Sequence, residues 1–299
     1  MSASNALKSG KENISFSASD GYELQGTIYR PPEGIDTKIA ILLTSGTGFP
    51  QFYYQRIASY LASLGAIVLT FDCRGIGRSR PDDLATLKMD YPDWGQLDMP
   101  AALAALCARA GPIRTVHLGH SVGGHFAGFM ANHDLIDAHA FICVGSGYWR
   151  DHPIYFNAFE LLFWYVMGPV GLWRKGYVPH GNGWSGTDLP RGVFDTWKRW
   201  CTKPNYYQSE LDAGRYEHHF DQVTAPIRSW VFSDDPIANE KTSQVILNAY
   251  RNAPTSIIYR KPSDYGVPKV GHAGAFRAGF ETLWNEWFDW LQIENSDQT

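Results

Sequence analysis

Leu118-Gly119-His120-Ser121-Val122-Gly123-Gly124 is the stretch from which the rest of the chain can be read. It carries the pattern G-x-S-x-G in a setting that gives the letters meaning. The run Thr115-Val116-His117-Leu118 before it predicts a buried strand, and residues 123–131 after it predict a helix packed closely on that strand. A sharp strand-to-helix turn lifts a serine hydroxyl clear of a sheet and presents it as a nucleophile. Glycines on both sides relieve the crowding that such a strained turn creates. A helix N-terminus behind Ser121 would favour developing negative charge. The plain alternative is a glycine-rich turn with a solvated serine; the surroundings and the partners found elsewhere in the chain argue against it.

Working outward, residues 14–18 and 23–29 flank Asp20-Gly21 and predict a hairpin. Residues 38–44 are continuously apolar at their centre, as in a strand covered on both faces, and run into Ser45-Gly46-Thr47-Gly48-Phe49-Pro50. The spacing of Ile57, Ala58, Leu61 and Leu64 predicts a helix over 54–64, stopped by Gly65. Residues 66–72 are a second buried strand, followed by Cys73-Arg74-Gly75-Ile76-Gly77-Arg78-Ser79. An alanine-rich helix over 98–109 accepts Pro100 in its first turn, and 138–144 adds another strand. Strands and helices in alternation, joined by right-handed crossovers, predict the α/β class: a mostly parallel central sheet flanked by helices.

The rhythm breaks over 148–215, which has no clear strand and is crowded with aromatic residues. It resumes with a strand at 227–232, a helix near 242–250, a strand at 256–260 and a last helix over 278–291. The expected organisation is therefore a core of residues 1–147 and 216–299, interrupted by a helical, aromatic-rich cap over 148–215. Many of its rings must be ordinary core. Their number above a sheet's catalytic edge nevertheless suggests a pocket wall, with Tyr148, Trp149, Trp164 and Trp184 as candidate substrate contacts. The run Gly181-Asn182-Gly183-Trp184-Ser185-Gly186 could be a flexible part of such a cap.

A serine hydroxyl needs a base, and the base needs an orienting carboxylate. On sheets of this kind the partners follow in the order serine, acid, histidine. The strand at 227–232 ends in Ser233-Asp234-Asp235-Pro236-Ile237, so the acid is Asp235, before the Pro-Ile turn, or its neighbour Asp234. Gly271-His272-Ala273-Gly274 follows the last strand, and of the ten histidines only His272 occupies the place the base requires. His120 flanks the nucleophile and would point away from it; His125 lies in the first turns of the following helix. Two backbone N–H groups should hold the oxyanion, that of Val122 and one from the loop after the 38–44 strand, with Thr47 the best candidate and Phe49 the alternative.

Composition bounds the rest. The 299 residues are 44% hydrophobic and 19% charged, enough for one sizeable α/β core, and the net charge of −4 suggests neither a nucleic-acid nor an anionic-membrane partner. Residues 1–20 show no apolar targeting segment, and the greasiest stretch, 158–173, is interrupted and short for a membrane span. Cys73, Cys107, Cys143 and Cys201 fit neither a metal nor a disulfide spacing and read as reduced thiols in a cytoplasmic protein. No histidine pair suggests a metal site, and nothing calls for a cofactor. A small-molecule substrate is the expected partner; the oligomeric state is not legible.

Taken together, these residues resemble the α/β-hydrolase superfamily over nearly the whole chain. Ser121, Asp235 and His272 match its triad positions, and Asp72-Cys73-Arg74-Gly75-Ile76-Gly77-Arg78-Ser79 matches its structural D-x-R-G-x-G-x-S loop. Where many members have His-Gly after the third strand, this chain has Ser45-Gly46. More narrowly, Tyr148-Trp149-Arg150, Asp188-Leu189-Pro190-Arg191-Gly192-Val193, Trp197, Trp200-Cys201 and Gly271-His272-Ala273-Gly274 resemble a group of bacterial hydrolases near the serine aminopeptidase-like branch. Aminopeptidase activity does not follow from that branch, since fold does not fix function. The resemblance implies a serine hydrolase cleaving a carboxylic ester or thioester of an apolar acyl or aromatic substrate. An acyltransferase or an amidase using the same acyl-enzyme is the alternative, and a non-catalytic ligand binder the remotest. A serine at position 121 argues against the aspartate-nucleophile dehalogenases and epoxide hydrolases of the same fold.

Overall fold

The computed structural model describes residues 10–37, 39–181, 184 and 186–293. The chain opens with the expected hairpin. β1 (Gly10–Ser17) and β2 (Glu23–Arg30) pair antiparallel, and Gly21 between them sits at φ 85°, a left-handed backbone conformation that glycine adopts without strain. Next come β3 (Ile39–Thr44), α1 (Gln55–Ser63), β4 (Ala66–Asp72), α2 (Met99–Ala110), β5 (Arg114–His120), α3 (Val122–His125) and β6 (His139–Ile142). The chain then leaves the sheet. It forms α4 (Ile154–Leu162), a π turn over Phe163–Met167, α5 (Gly168–Lys175), the two-residue strands β7 (Tyr177–Val178) and β8 (Leu189–Pro190), α6 (Arg191–Cys201) and α7 (Gln208–Asp212). It returns through β9 (Ile227–Phe232), α8 (Glu240–Leu247), β10 (Thr255–Arg260) and α9 (Glu281–Leu291).

The sheet runs β1-β2-β4-β3-β5-β6-β9-β10 and is parallel from β4 onward. Every residue of β3 and β4 is buried, and the two-residue period of a strand sorts their side chains between two cores. Ile39, Ile41 and Leu43 pack toward α1 and α9, against Leu61, Trp284 and Trp287. Ala40 and Leu42 pack toward α2 and the excursion between β6 and β9, in one cluster with Leu103, Phe126 and Trp200. Parallel strands share one carboxyl edge, so the loops after β3, β5, β9 and β10 gather Thr47, Ser121, Asp235 and His272 on one side of the sheet, where open α/β sheets bind ligands. The loop after β4 ties this edge together. Arg74 is buried between Asp98 and Asp20 at 2.7 Å each, and Asp72 accepts from the backbone N–H groups of Gln51 and Arg78.

Two features depart from the sequence reading, and a third falls partly beyond the described residues. The helix after Ser121 is one turn long, not nine residues. Gly128 presses so closely on the ring of Phe220 that a Cβ would collide with it, and the chain there tightens into a 3-10 turn, Ala127–Phe129. The stretch read as free of strands contains the small β7–β8 pair. Of the glycine-rich run at 181–186, Asn182, Gly183 and Ser185 lie outside the described residues.

The segment from α4 to α5 also carries an uncovered apolar ridge. Tyr155, Phe159, Leu162, Val166, Val170 and Trp173 recur at helical three- and four-residue spacing, and all are exposed. Ile154 and Trp173 stand 87% and 84% exposed. The one carboxylate between Pro153 and Lys175 is Glu160, which is buried. No helix among the described residues is long and apolar enough to cross a membrane.

Candidate active site

β5 ends at His120 and the chain reverses at Ser121, which takes φ 51° and ψ −120°, a strained conformation for a residue with a side chain. The surroundings hold it there. Its N–H donates to the carbonyl of Ile142 on β6 (2.9 Å), and its own carbonyl accepts from Gly124 N–H (2.9 Å). The glycines around it are demanded by close approach. A Cβ on Gly119 would lie 2.7 Å from the nitrogen of Gly124, and one on Gly123 would lie 2.7 Å from the carbonyl oxygen of Thr44.

The expected partners converge. His272 Nε2 lies 3.0 Å from Ser121 Oγ, and His272 Nδ1 lies 2.9 and 3.1 Å from the two Asp235 oxygens. A carboxylate only accepts, so the proton of the neutral imidazole sits on Nδ1, and the Nε2 lone pair faces the serine hydroxyl, which donates to it. Burial works to raise the pKa of Asp235. The adjacent His272 and the N–H groups of Ile237 (2.8 Å) and Ala238 (3.1 Å) outweigh it and hold the carboxyl below its usual value, as an anion. Asp234, the alternative, faces elsewhere. Its Oδ2 accepts from the N–H groups of Val270 and Gly271, at 2.9 and 3.0 Å, and thereby holds the loop that carries His272.

His120 points away from the nucleophile, and its two nitrogens complete a chain that sequence reasoning did not find. Gly46 N–H donates to the Tyr54 hydroxyl (2.9 Å), and that hydroxyl donates to His120 Nδ1 (2.7 Å). His120 Nε2–H donates to the carbonyl of His272 (2.8 Å). Burial drives the pKa of His120 down to about 3, so the ring is neutral and can accept at one nitrogen while donating at the other. The loop after β3 is thus wired to the backbone of His272. Gly46 fits against this ring because it has no side chain: a Cβ would stand 2.7 Å from His120 Nδ1. Thr47 Oγ1 bonds the buried Tyr91 hydroxyl, and Thr187 N–H donates to the carbonyl of Gly48 (2.8 Å).

A cavity of about 210 Å³ opens beside Ser121 and His272. Phe49, Trp164, Trp184, Trp197 and Ile237 give it apolar walls. Trp164 and Trp184 therefore stand where the sequence reading put them, but Tyr148 and Trp149 are not among the lining residues; the Arg150 guanidinium lies 5.0 Å over the Trp149 ring instead. The cavity is also more polar than its aromatic composition implied. His125, His152 and Glu160 line it. His152 Nδ1 lies 2.9 Å from both Glu160 oxygens, and its Nε2 lies 3.2 Å from the carbonyl of Ser146.

Among the described residues, Cys143, Asp235 and His272 form a group whose possible ligand atoms lie within 4.8 Å of one another. Two of the three already bond each other, and burial pushes the Cys143 thiol well above its ordinary pKa, which keeps it protonated and a poor metal donor.

This geometry has known relatives. The family model for serine aminopeptidase, S33, matches residues 36–188, just over half of the chain. The chain belongs to this family. That places it in the α/β-hydrolase superfamily and supports a serine hydrolase of the α/β fold. No curated relative matches it in sequence. Among solved structures, a soluble variant of monoglyceride lipase from Saccharomyces cerevisiae is similar, with a TM-score of 0.63 and 17% identity over 92% of this chain and 93% of that one. The esterase domain of a Rhodothermus marinus protein gives 0.56 and 15% identity over 95% and 98%. A Pyrococcus horikoshii acylaminoacyl peptidase gives 0.57 and 16% over 98% of this chain but 43% of its own. At such identities the likeness speaks for the fold.

Proposed function

We propose that this chain hydrolyses a carboxylic ester or thioester through an acyl-enzyme on Ser121. The observation that carries the reading is the unbroken line of hydrogen bonds from Ser121 Oγ through His272 to Asp235, at a strained strand-to-helix turn. His272 Nε2 takes the hydroxyl proton as Ser121 Oγ attacks the substrate carbonyl, and Asp235 stabilises the imidazolium that forms. The tetrahedral oxyanion is held by the N–H groups of Val122 and Thr47, which among the described residues donate to no protein acceptor. The imidazolium returns its proton to the leaving alkoxide or thiolate. Water then enters, gives a proton to His272 as it attacks the acyl carbon, and releases the acid with Ser121 restored. These steps need no metal or cofactor.

The excursion over 148–215 serves in this reading as a cap on a core of 1–147 and 216–299. Its Trp164 and Trp184 wall the acyl site and exclude water from it. The similar structures named for a lipase and an esterase support an oxygen ester; the one named for a peptidase keeps an amide within the test. Ser121→Ala should abolish fluorophosphonate labelling and lower kcat on graded acyl esters by on the order of 10⁴-fold, with the melting temperature retained. Undiminished turnover in that variant would remove the serine from the mechanism.

A further inference from the structure

The helical run from Ile154 to Lys175 has two faces with opposite surroundings. Its inner face is fixed. Phe163, Trp164 and Leu172 are buried, and the Glu160 carboxylate lies 2.9 Å from His152 Nδ1. Its outer face is the uncovered ridge. Between Pro153 and Arg174 every exposed residue is apolar or aromatic, and three unbroken helical segments carry them over about 30 Å. A solvated helix face ordinarily carries charge. An apolar face of this extent marks an interaction surface.

Charge returns only at the ends. Arg150 precedes the run and Arg174-Lys175 close it. All three are exposed, and among the described residues none of them is in an ion pair. Asp151, beside Arg150, already accepts from Lys241 Nζ (2.6 Å). From α6, Lys198 Nζ stands 4.4 Å over the ring of Tyr165, and Asp195 is the only acid on that helix. The net charge of −4 belongs to the whole chain; at this surface the balance is positive. A helix lying in a bilayer interface presents this arrangement: rings and aliphatic groups enter the acyl boundary, while arginine and lysine reach the phosphates. A second copy fits poorly. Two-fold pairing of two ridges would set cationic ends on cationic ends, with no exposed acid between Pro153 and Lys175 to offset them.

We infer that this ridge is a membrane-docking surface and that its partner is the anionic face of a phospholipid bilayer. The run lies in the interface and does not cross it, because its inner face stays packed on the core. The same run joins the docking face to the proposed active site. Glu160 and Trp164 line the cavity beside Ser121. Val166 and Val170 of the ridge line a second cavity, of about 440 Å³, and Trp184 lines both. The docking itself does not rest on the reading of Ser121 as a nucleophile.

The test is co-sedimentation of the full chain with sucrose-loaded vesicles, either of pure phosphatidylcholine or with about one-third phosphatidylglycerol. The wild type should partition into the anionic vesicles about tenfold more strongly than into phosphatidylcholine, and added salt should weaken that binding. Ile154→Ser combined with Trp173→Ser, and separately Arg174→Glu combined with Lys175→Glu, should each lower the partition by about tenfold or more. All four side chains stand in solvent, so both variants should keep the wild-type melting temperature. No sedimentation above the lipid-free control, equal partition into the two kinds of vesicle, or binding that survives either pair of substitutions overturns the inference. So does a wild-type dimer in gel filtration that the two serines convert to a monomer, which would give the ridge to a second copy. The comparison of lipids needs only the wild-type protein, so it decides even if a variant does not fold. Fluorophosphonate labelling without vesicles reports on Ser121 separately. Lost labelling with intact partition sinks the serine mechanism and leaves the docking standing, whereas full labelling without partition sinks the docking alone.

Discussion

Asp234 and Asp235 are chemically identical neighbours with different tasks, and the difference lies in which way the backbone turns after β9. Asp235 is turned under His272; Asp234 is turned toward the N–H groups of Val270 and Gly271. In the proposed mechanism, Asp235→Asn should lower kcat by on the order of 10⁴-fold, because an amide at Nδ1 favours the wrong imidazole tautomer. Asp234→Asn should cost far less, within about tenfold, since its amide oxygen can still accept from the same backbone groups. Steady-state kinetics on one ester decides the ranking, and the reverse order would exchange the two roles. The sequence located this pair because loops after late strands are where such acids fall, and a proline-bounded turn favoured the second of the two. His125, His152 and Glu160 left no comparable signal. They meet in the cavity only after α3 and α4 have packed, and no spacing along the chain records such a meeting. The same holds for the chain through Tyr54 and His120, whose members were visible only as a helix start and a flanking histidine.

The buried strands were legible because continuous apolar runs bounded by glycine and polar turns admit few other readings. The element after Ser121 was not, because its glycines serve close packing rather than helix propagation. Gly123→Ala would drive a methyl group into Thr44 on the neighbouring strand, with both backbones fixed by the sheet. Overpacking of this kind costs about 1–3 kcal/mol, so the variant should melt several degrees lower and lose activity together with the serine turn. Differential scanning calorimetry checks the first and ester turnover the second. Glu210 at α7 is the electrostatic anchor of the excursion. It bonds Arg199 (2.8 Å), Lys203 (2.7 Å) and Trp200 Nε1 (3.0 Å). Burial opposes its ionisation, but these partners bring its pKa down from 4.5 to about 2. A carboxyl with a depressed folded value contributes stability that is complete above its unfolded value, near 4.5, and is lost as pH falls through about 2. Tryptophan fluorescence in acid should therefore report loosening of α6 and α7 over that window. Glu210→Gln should flatten that part of the profile while lowering the melting temperature at neutral pH.

At the scale of the whole molecule, the mostly parallel sheet and the placing of four loops on one edge follow from the alternation of strands and helices, whereas the order of the strands, with β3 between β4 and β5, left no mark in that alternation. The aromatic excess of the excursion was equally plain, but its division was not: Trp164, Trp184 and Trp197 face the cavity, whereas Trp173 and Tyr155 face outward. Composition counts rings and cannot say which side of a helix bears them. The outward ridge also governs how the purified protein handles. Monomeric proteins seldom expose large contiguous apolar patches, and excluded salts such as ammonium sulfate strengthen whatever apolar contact is on offer. The protein should bind a phenyl column at unusually low salt and adsorb to plastic and to air–water interfaces when dilute. Ile154→Ser combined with Trp173→Ser should elute earlier with an unchanged melting temperature, as both side chains stand in solvent. Elution at the same salt as wild type would mean that the ridge is already covered in solution.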